Sequence, residues 1–173
     1  MPVVIDFEDE GEAVRWHPVD DRVMGGVSRS EIRSESGAGV FAGELTLTNG
    51  AGFASVRREP EPMRLSGHTG LKLEVRGDGR RYQLRLYTHQ LDGGAAYRAR
   101  FQPQAGEWQR IELHWSDFTP VFRGRVLHDA PPMESDDIQQ IGLLIADRRD
   151  GPFRLEFSRL ETLDDSTPRQ SAT

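Results

Sequence analysis

The sequence predicts an all-β fold, an antiparallel two-sheet jelly-roll sandwich. Three observations predict it. Apolar residues recur with period 2 rather than 3.6, Gly, Pro, Asn and Asp clusters separate the short runs, and no long amphipathic helix competes. The clearest alternations are Leu71/Leu73/Val75, Tyr82/Leu84/Leu86, Tyr97/Ala99/Phe101 and Phe153/Leu155/Phe157. About nine strands with one buried face each close as two packed sheets, because an open sheet would leave its apolar face wet.

In chain order, Val3 to Phe7 reads as the first strand. Asp9 to Ser36 resists a strand reading and is expected to be a long loop, as is Ser116 to Asp137; loops of that length in a compact domain are functional or disordered. Val40 to Thr48 and Phe53 to Arg57 are strands around the glycine-rich turn Asn49-Gly50-Ala51-Gly52. Gly77-Asp78-Gly79-Arg80 reads as a hairpin turn, since glycine tolerates positive φ, and it makes the strands on either side antiparallel neighbours. In the run Trp108 to Trp115 the two tryptophans have opposite phase, so at most one faces the core unless a bulge intervenes. Gln140 to Ala146 and Phe153 to Phe157 complete the set. Residues 1–163 are expected to form one domain, and the tail DDSTPRQSAT, residues 164–173, to be flexible for want of a large apolar anchor.

The 173 residues are 36% hydrophobic and 29% charged, which suits one globular domain. The absence of cysteine excludes disulfides, thiolate metal sites and cysteine nucleophiles. A net charge of −6 disfavours polyanions such as duplex DNA, so no nucleic acid partner is expected. Met1-Pro2-Val3-Val4-Ile5-Asp6 has no basic region, which argues against a secretory signal or transit peptide. The longest apolar stretch, Ile141 to Ala146, is far short of the ~20 residues that span a bilayer, leaving at most peripheral membrane contact.

His17, His68, His89, His114 and His128 are dispersed and form no short metal-ligand pair, and no GxSxG, Walker or GxGxxG pattern is present. No metal, cofactor or catalytic residue is expected, although an oxygen-liganded calcium in an Asp-rich loop stays open. Three features remain as binding candidates. The densest runs from Trp16 to Ser30, where Asp20, Asp21 and Arg22 can tie a loop down, Met24 offers an adaptable contact, the paired Gly25 and Gly26 permit close backbone approach, and Ser28 is a further binding or stapling candidate. It either closes one end of the sandwich or holds a partner. The second is Asn49 to Arg58: with Ala54 and Val56 inward, Phe53, Ser55 and Arg57 share the other face, unless a glycine bulge buries Phe53. Arg57 either pairs with Asp20 or Asp21 to staple two loops or meets a ligand.

The third candidate emerges from strand phase. The outward positions carry Lys72, Arg76, Arg81, Arg85, Arg98 and Arg100 with Tyr87 beside them, a basic face suited to an acidic partner segment, an anion or a sugar. The alternative is a solvated face partly neutralised by Glu74 and Glu112. Trp16, Trp108 and Trp115 either stack on sugars or sit in the core.

Taken together, Trp16 with Asp20-Asp21-Arg22-Val23-Met24-Gly25-Gly26-Val27-Ser28, Phe41-Ala42-Gly43, Gly52-Phe53-Ala54-Ser55-Val56-Arg57, Gly77-Asp78-Gly79-Arg80 with Tyr82, Phe101, Trp108 and Arg123-Gly124-Arg125 give the chain a family resemblance. It resembles the complex I intermediate-associated protein 30 (CIA30) domain family. The resemblance implies a galactose-binding-like jelly roll and a non-enzymatic, protein-binding assembly role of the kind served by chaperones for respiratory NADH:ubiquinone oxidoreductase. The partner expected is a respiratory assembly intermediate, with a carbohydrate as the alternative ligand and an Asp/Arg cleft enzyme as a weaker one. Lacking a presequence ahead of Val3, the chain is expected in a bacterial cytoplasm.

Overall fold

A computed structural model of the chain describes residues 3–19, 28–47, 52–91 and 93–164. Thirteen strands appear among them: β1 (Val3–Asp6), β2 (Trp16–Pro18), β3 (Arg29–Glu35), β4 (Ala38–Leu45), β5 (Ala54–Arg58), β6 (Gly70–Arg76), β7 (Tyr82–Thr88), β8 (Ala96–Phe101), β9 (Trp108–His114), β10 (Thr119–Phe122), β11 (Arg125–Val126), β12 (Ile138–Ile145) and β13 (Gly151–Leu163). They form two antiparallel sheets. One runs β3-β4-β13-β6-β9 with β1 also on β13, and the other runs β11-β10-β8-β7-β12-β5-β2. The expected all-β sandwich is therefore the observed fold.

Alternation builds the layers. Phe41, Leu71, Leu73, Val75, Leu155 and Phe157 from one sheet and Ala54, Val56, Tyr82, Leu84, Leu86, Ile141 and Ile145 from the other are fully buried and face the core. Each such side chain contributes about 1.5–3 kcal/mol relative to exposure. Aromatic rings bridge the layers, with Trp16 edge-on to Phe157 at 6.4 Å and Phe41 at 6.2 Å from Tyr82, while within one layer Phe7 lies 5.6 Å from Phe157 and Phe41 lies 5.0 Å from Phe153.

Four expectations are corrected. Gly77 to Arg80 does not close a hairpin, because β6 pairs with β13 and β9 while β7 pairs with β8 and β12. The turn instead carries the chain from one sheet to the other. It is pinned there by Asp78, whose carboxylate accepts from the Tyr82 hydroxyl at 3.0 Å, the Arg80 N–H at 3.1 Å and the Arg154 N–H at 2.7 Å. The two expected long loops contain strands, β2 and β3 in the first and β10 and β11 in the second. The run from Trp108 ends as a strand at His114, where a short 3-10 turn, Trp115–Asp117, lets Trp115 pack on the core and donate its indole N–H to the His68 carbonyl at 2.6 Å.

The fourth correction bears on function. Lys72 and Arg76 lie on β6, in a different sheet from Arg81, Arg85, Arg98 and Arg100. The single basic face read from strand phase is thus two faces on opposite sides of the molecule. A period of 2 tells which residues share a face of one strand but not which strands share a sheet.

Candidate functional site

The two outer faces carry charge differently. On the six-stranded sheet, acids and bases alternate across neighbouring strands and neutralise each other. Arg76 grips Glu156 with two hydrogen bonds at 2.9 and 2.8 Å, Arg110 meets Glu74 at 3.3 Å, Arg154 meets Glu35 at 2.9 Å, and Lys72 and Arg159 approach Glu161 at 3.9 and 3.5 Å. Trp108, 43% exposed, packs its ring 5.3 Å from the Arg76 guanidinium on this side.

The seven-stranded sheet presents a groove of about 790 Å³. Its floor is set by register. Arg98 on β8 is directly opposite Arg85 on β7, Arg85 is opposite Gly142 on β12, and Gly142 is opposite Arg57 on β5. The adjacent row reads Arg100, Gln83, Leu144, Ser55. Arg81, Arg123 and Arg148 complete a lining of seven arginines with Phe53 and Phe122. Among the described residues, no carboxylate lies within ion-pair distance of Arg57, Arg81, Arg85, Arg98 or Arg100. Asp147 also lines the groove, yet its two oxygens are taken by Arg80 at 2.6 and 2.9 Å.

Arg85 is 8% exposed, and its guanidinium donates twice to the Gln83 side-chain oxygen, at 3.0 and 2.9 Å. Burial, with the nearby Arg57 charge, holds its pKa below the usual arginine value despite the opposing effect of Tyr87. Arg98 is lowered likewise, by burial first and then by Arg100, Arg85 and Arg81. Both stay protonated at any ordinary pH, so the groove keeps its positive charge. The Arg57 guanidinium lies 4.5 Å over the Tyr87 ring, and its Nε is buried without a hydrogen-bond partner among the described residues. Gly142 makes room between Arg57 and Arg85: a Cβ there would sit 3.0 Å from the Val56 carbonyl oxygen and 3.4 Å from the Tyr87 ring.

The residues predicted from sequence separate accordingly. Phe53, Ser55 and Arg57 do share the outward face of β5, with Ala54 and Val56 buried. Ser55 is 2% exposed and donates its hydroxyl to the Val19 carbonyl, so it fastens the groove wall. Buried Ser28 ties to Thr46, accepting from its N–H at 2.9 Å and donating to its carbonyl at 3.2 Å. Asp20, Asp21, Arg22, Met24, Gly25, Gly26 and Asn49 lie outside the described residues. Val19, Leu47 and Gly52, which flank those segments, line one end of the groove. Arg81, Arg85, Arg98 and Arg100 are brought together with Arg57, whereas Lys72 and Arg76 are not.

Tyr87 does not offer a free stacking face, because Arg57 covers it. No tryptophan lines the groove either: Trp16 is 4% exposed in the core and donates to Glu12 at 3.0 Å. Sequence reasoning missed Gln83, Phe122, Arg123, Leu144 and Arg148. Gln83 was legible as the outward residue between Arg81 and Arg85. Arg123 and Arg148 sit in turns at φ 52° and 63°, positions that strand phase does not reach. Among the described residues, no cluster of three or more His, Cys, Asp or Glu could hold a metal, and no helix is long and apolar enough to cross a membrane.

The profile of the family described as "Complex I intermediate-associated protein 30 (CIA30)" matches residues 5–157. A Caenorhabditis elegans protein named "Probable complex I intermediate-associated protein 30, mitochondrial" is 28% identical over 157 residues, covering 80% of this chain and 46% of the worm protein. The Mus musculus "Complex I intermediate-associated protein 30, mitochondrial" is 28% identical over 186 residues, covering 94% of this chain and 56% of its own length. The chain thus spans about half the length of these curated relatives. Their names overturn the expected bacterial cytoplasmic location, since these relatives are mitochondrial. Among solved structures, the family 11 carbohydrate-binding module of a Clostridium thermocellum cellulosomal cellulase superposes with a TM-score of 0.65 at 14% identity, covering 94% of this chain and 93% of the module. The same module family in complex with a β-1,3-1,4-mixed-linked tetrasaccharide gives 0.60 at 16% identity, covering 90% of this chain and 93% of that one. At these identities the likeness concerns the fold.

Proposed function

The chain belongs to the complex I intermediate-associated protein 30 family, and from that premise we propose that it is a non-catalytic binding domain that takes a saccharide in the groove of the seven-stranded sheet. The observation that carries this reading is the groove itself: an open channel across β8, β7, β12 and β5, lined by planar hydrogen-bond donors and flanked by Phe53 and Phe122. Such a mixture of apolar surface and directional polar groups suits a ring with hydroxyls on its edge and C–H groups on its faces. Solved modules of the same fold include one in complex with a tetrasaccharide, which supports the reading. Calorimetric titration of the full chain against neutral and acidic oligosaccharides, with Arg98→Glu as the groove variant, tests it. Binding that the variant loses while its melting stays cooperative is the expected result, and silence across the panel from a folded protein rejects it.

A second reading follows from the relatives, whose names tie them to complex I intermediates. Here the same face holds a protein of the respiratory assembly pathway. Affinity capture from detergent-solubilised membranes of the source organism, quantified by mass spectrometry, separates the two: complex I subunits recovered with the wild type and lost with Arg98→Glu favour this second reading.

A further inference from the structure

We propose that the groove selects acidic saccharides, with a carboxylate or sulfate group seated against the guanidinium groups of Arg57, Arg85 and Arg98. The proposal rests on the reading that this groove is a saccharide site, and it adds the charge of the ligand. A fold that merely needed solubility would treat both outer faces alike. Here one sheet neutralises its arginines with Glu74, Glu156 and Glu161, while the other places Arg98 and Arg85 directly opposite each other with no carboxylate of the described residues at ion-pair distance.

That placement carries a folding cost. Like charges directly opposite on paired strands destabilise the sheet, and burying a guanidinium without a counter-ion costs more still. Arg85 is more than nine-tenths buried, and among the described residues its hydrogen-bond partners are the Gln83 amide and Tyr87, neither of them a carboxylate. The buried Arg57 Nε has no acceptor among the described residues. Among the described residues, the acids lining the groove and its neighbouring hollow do not resolve this. Asp147 is held by Arg80, and Glu112 and Asp117 line an adjoining hollow with Arg98 and Arg100 without reaching ion-pair distance. A planar oxyanion supplies what is missing, because guanidinium forks match carboxylate and sulfate oxygens in geometry and charge.

Neutral sugars fit less well. No tryptophan lines the groove, and the face of Tyr87 is covered by Arg57. An acidic polypeptide is the rival ligand, but β7, β8 and β12 are hydrogen-bonded on both sides, so the groove offers no open strand edge to which an extended chain could add.

Calorimetry of the full chain at low salt provides the test, with an oligogalacturonate, its methyl ester and an oligoglutamate peptide as probes. The free acid is expected to bind at least about tenfold more tightly than the ester, to weaken steeply with added salt, and to lose at least about tenfold in Arg85→Met. Arg110→Ala, on the opposite sheet, should leave binding unchanged. Should Arg85→Met fail to fold, Arg98→Gln at a half-buried position carries the same test. Equal affinity for acid and ester overturns the charge selectivity while leaving the groove as a saccharide site. No binding of either saccharide overturns the groove reading and the selectivity together. Capture of the peptide alone overturns the proposal in favour of a protein ligand, and acid binding that survives both arginine variants overturns it by placing the site elsewhere.

Discussion

Two arginines of nearly equal burial should respond oppositely to the same substitution. Arg80 is 7% and Arg85 8% exposed. Arg80 has a full set of partners: both oxygens of Asp147, whose side chain is 5% exposed, and the carbonyls of Gly151 and Pro152 at 3.1 and 3.0 Å. Replacing Arg80 with Met strands the Asp147 carboxylate, a change that costs about 3–5 kcal/mol. Arg85→Met strands no acid among the described residues. It gives up hydrogen bonds from a charged donor worth about 1.5–3 kcal/mol. In return it removes a cross-strand repulsion with Arg98 of about 0.2–1 kcal/mol and a desolvation penalty of several kcal/mol. The net lies between no change and a gain of about 2 kcal/mol, which for a chain of this length raises Tm by roughly 2–4 °C per kcal/mol. Urea denaturation followed by circular dichroism, together with thermal melts, reads both variants. If Arg85→Met loses stability comparable to Arg80→Met, Arg85 is a structural arginine like its neighbour and the reasoning about an uncompensated charge is refuted.

Further predictions concern the scaffold and the groove. Glu12 is 2% exposed and holds Arg58 at 2.7 Å, Arg15 at 2.7 Å and the Trp16 indole at 3.0 Å. Glu12→Ala should therefore cost about 3–5 kcal/mol, seen as a lowered urea midpoint. Gly142→Ala should weaken ligand binding and lower stability by about 1–3 kcal/mol, because the new methyl meets the Val56 carbonyl and presses on Arg57 and Tyr87; unchanged binding would show that the row spacing is not needed. Acid should destabilise the fold. Burial tends to raise the Asp147 carboxyl, but the hydrogen bonds and charge of Arg80 outweigh it and hold it below the ordinary value, while Glu74 is lowered first by the Ser158 hydroxyl and then by Arg110 against burial. A depressed folded-state pKa gives stability that is full above the unfolded value of about 4 and lost as pH falls through the folded value. The urea midpoint should thus drop below about pH 4, and less in Glu74→Gln; a midpoint that rises on acidification contradicts the assignment.

Strands with strict alternation were legible because each buries one face: Leu71/Leu73/Val75 and Tyr82/Leu84/Leu86 lie inward as read. β3 was not, since Arg29 to Glu35 carries only Ile32 as a large apolar residue and lies at a sheet edge. The outward phase of Arg57, Arg85, Arg98 and Arg100 followed from the same alternation, but which of them meet depends on strand order, and strand order is set by long-range packing. Lys72 and Arg76 were grouped wrongly for that reason. The role of Asp78 shows the same limit: its turn residues look like a hairpin locally, and only the contacts with Tyr82 and Arg154 reveal a crossing between sheets.

The most direct test of the groove as the binding surface is a two-dimensional ¹H–¹⁵N spectrum, including the arginine Nε–H region, recorded while an oligogalacturonate is added. Shift changes confined to Arg57, Arg85, Arg98 and the backbone of β5, β7, β8 and β12 are the predicted result. Changes confined to β3, β4 and β9 on the opposite sheet, with the groove arginines unmoved, would contradict the account.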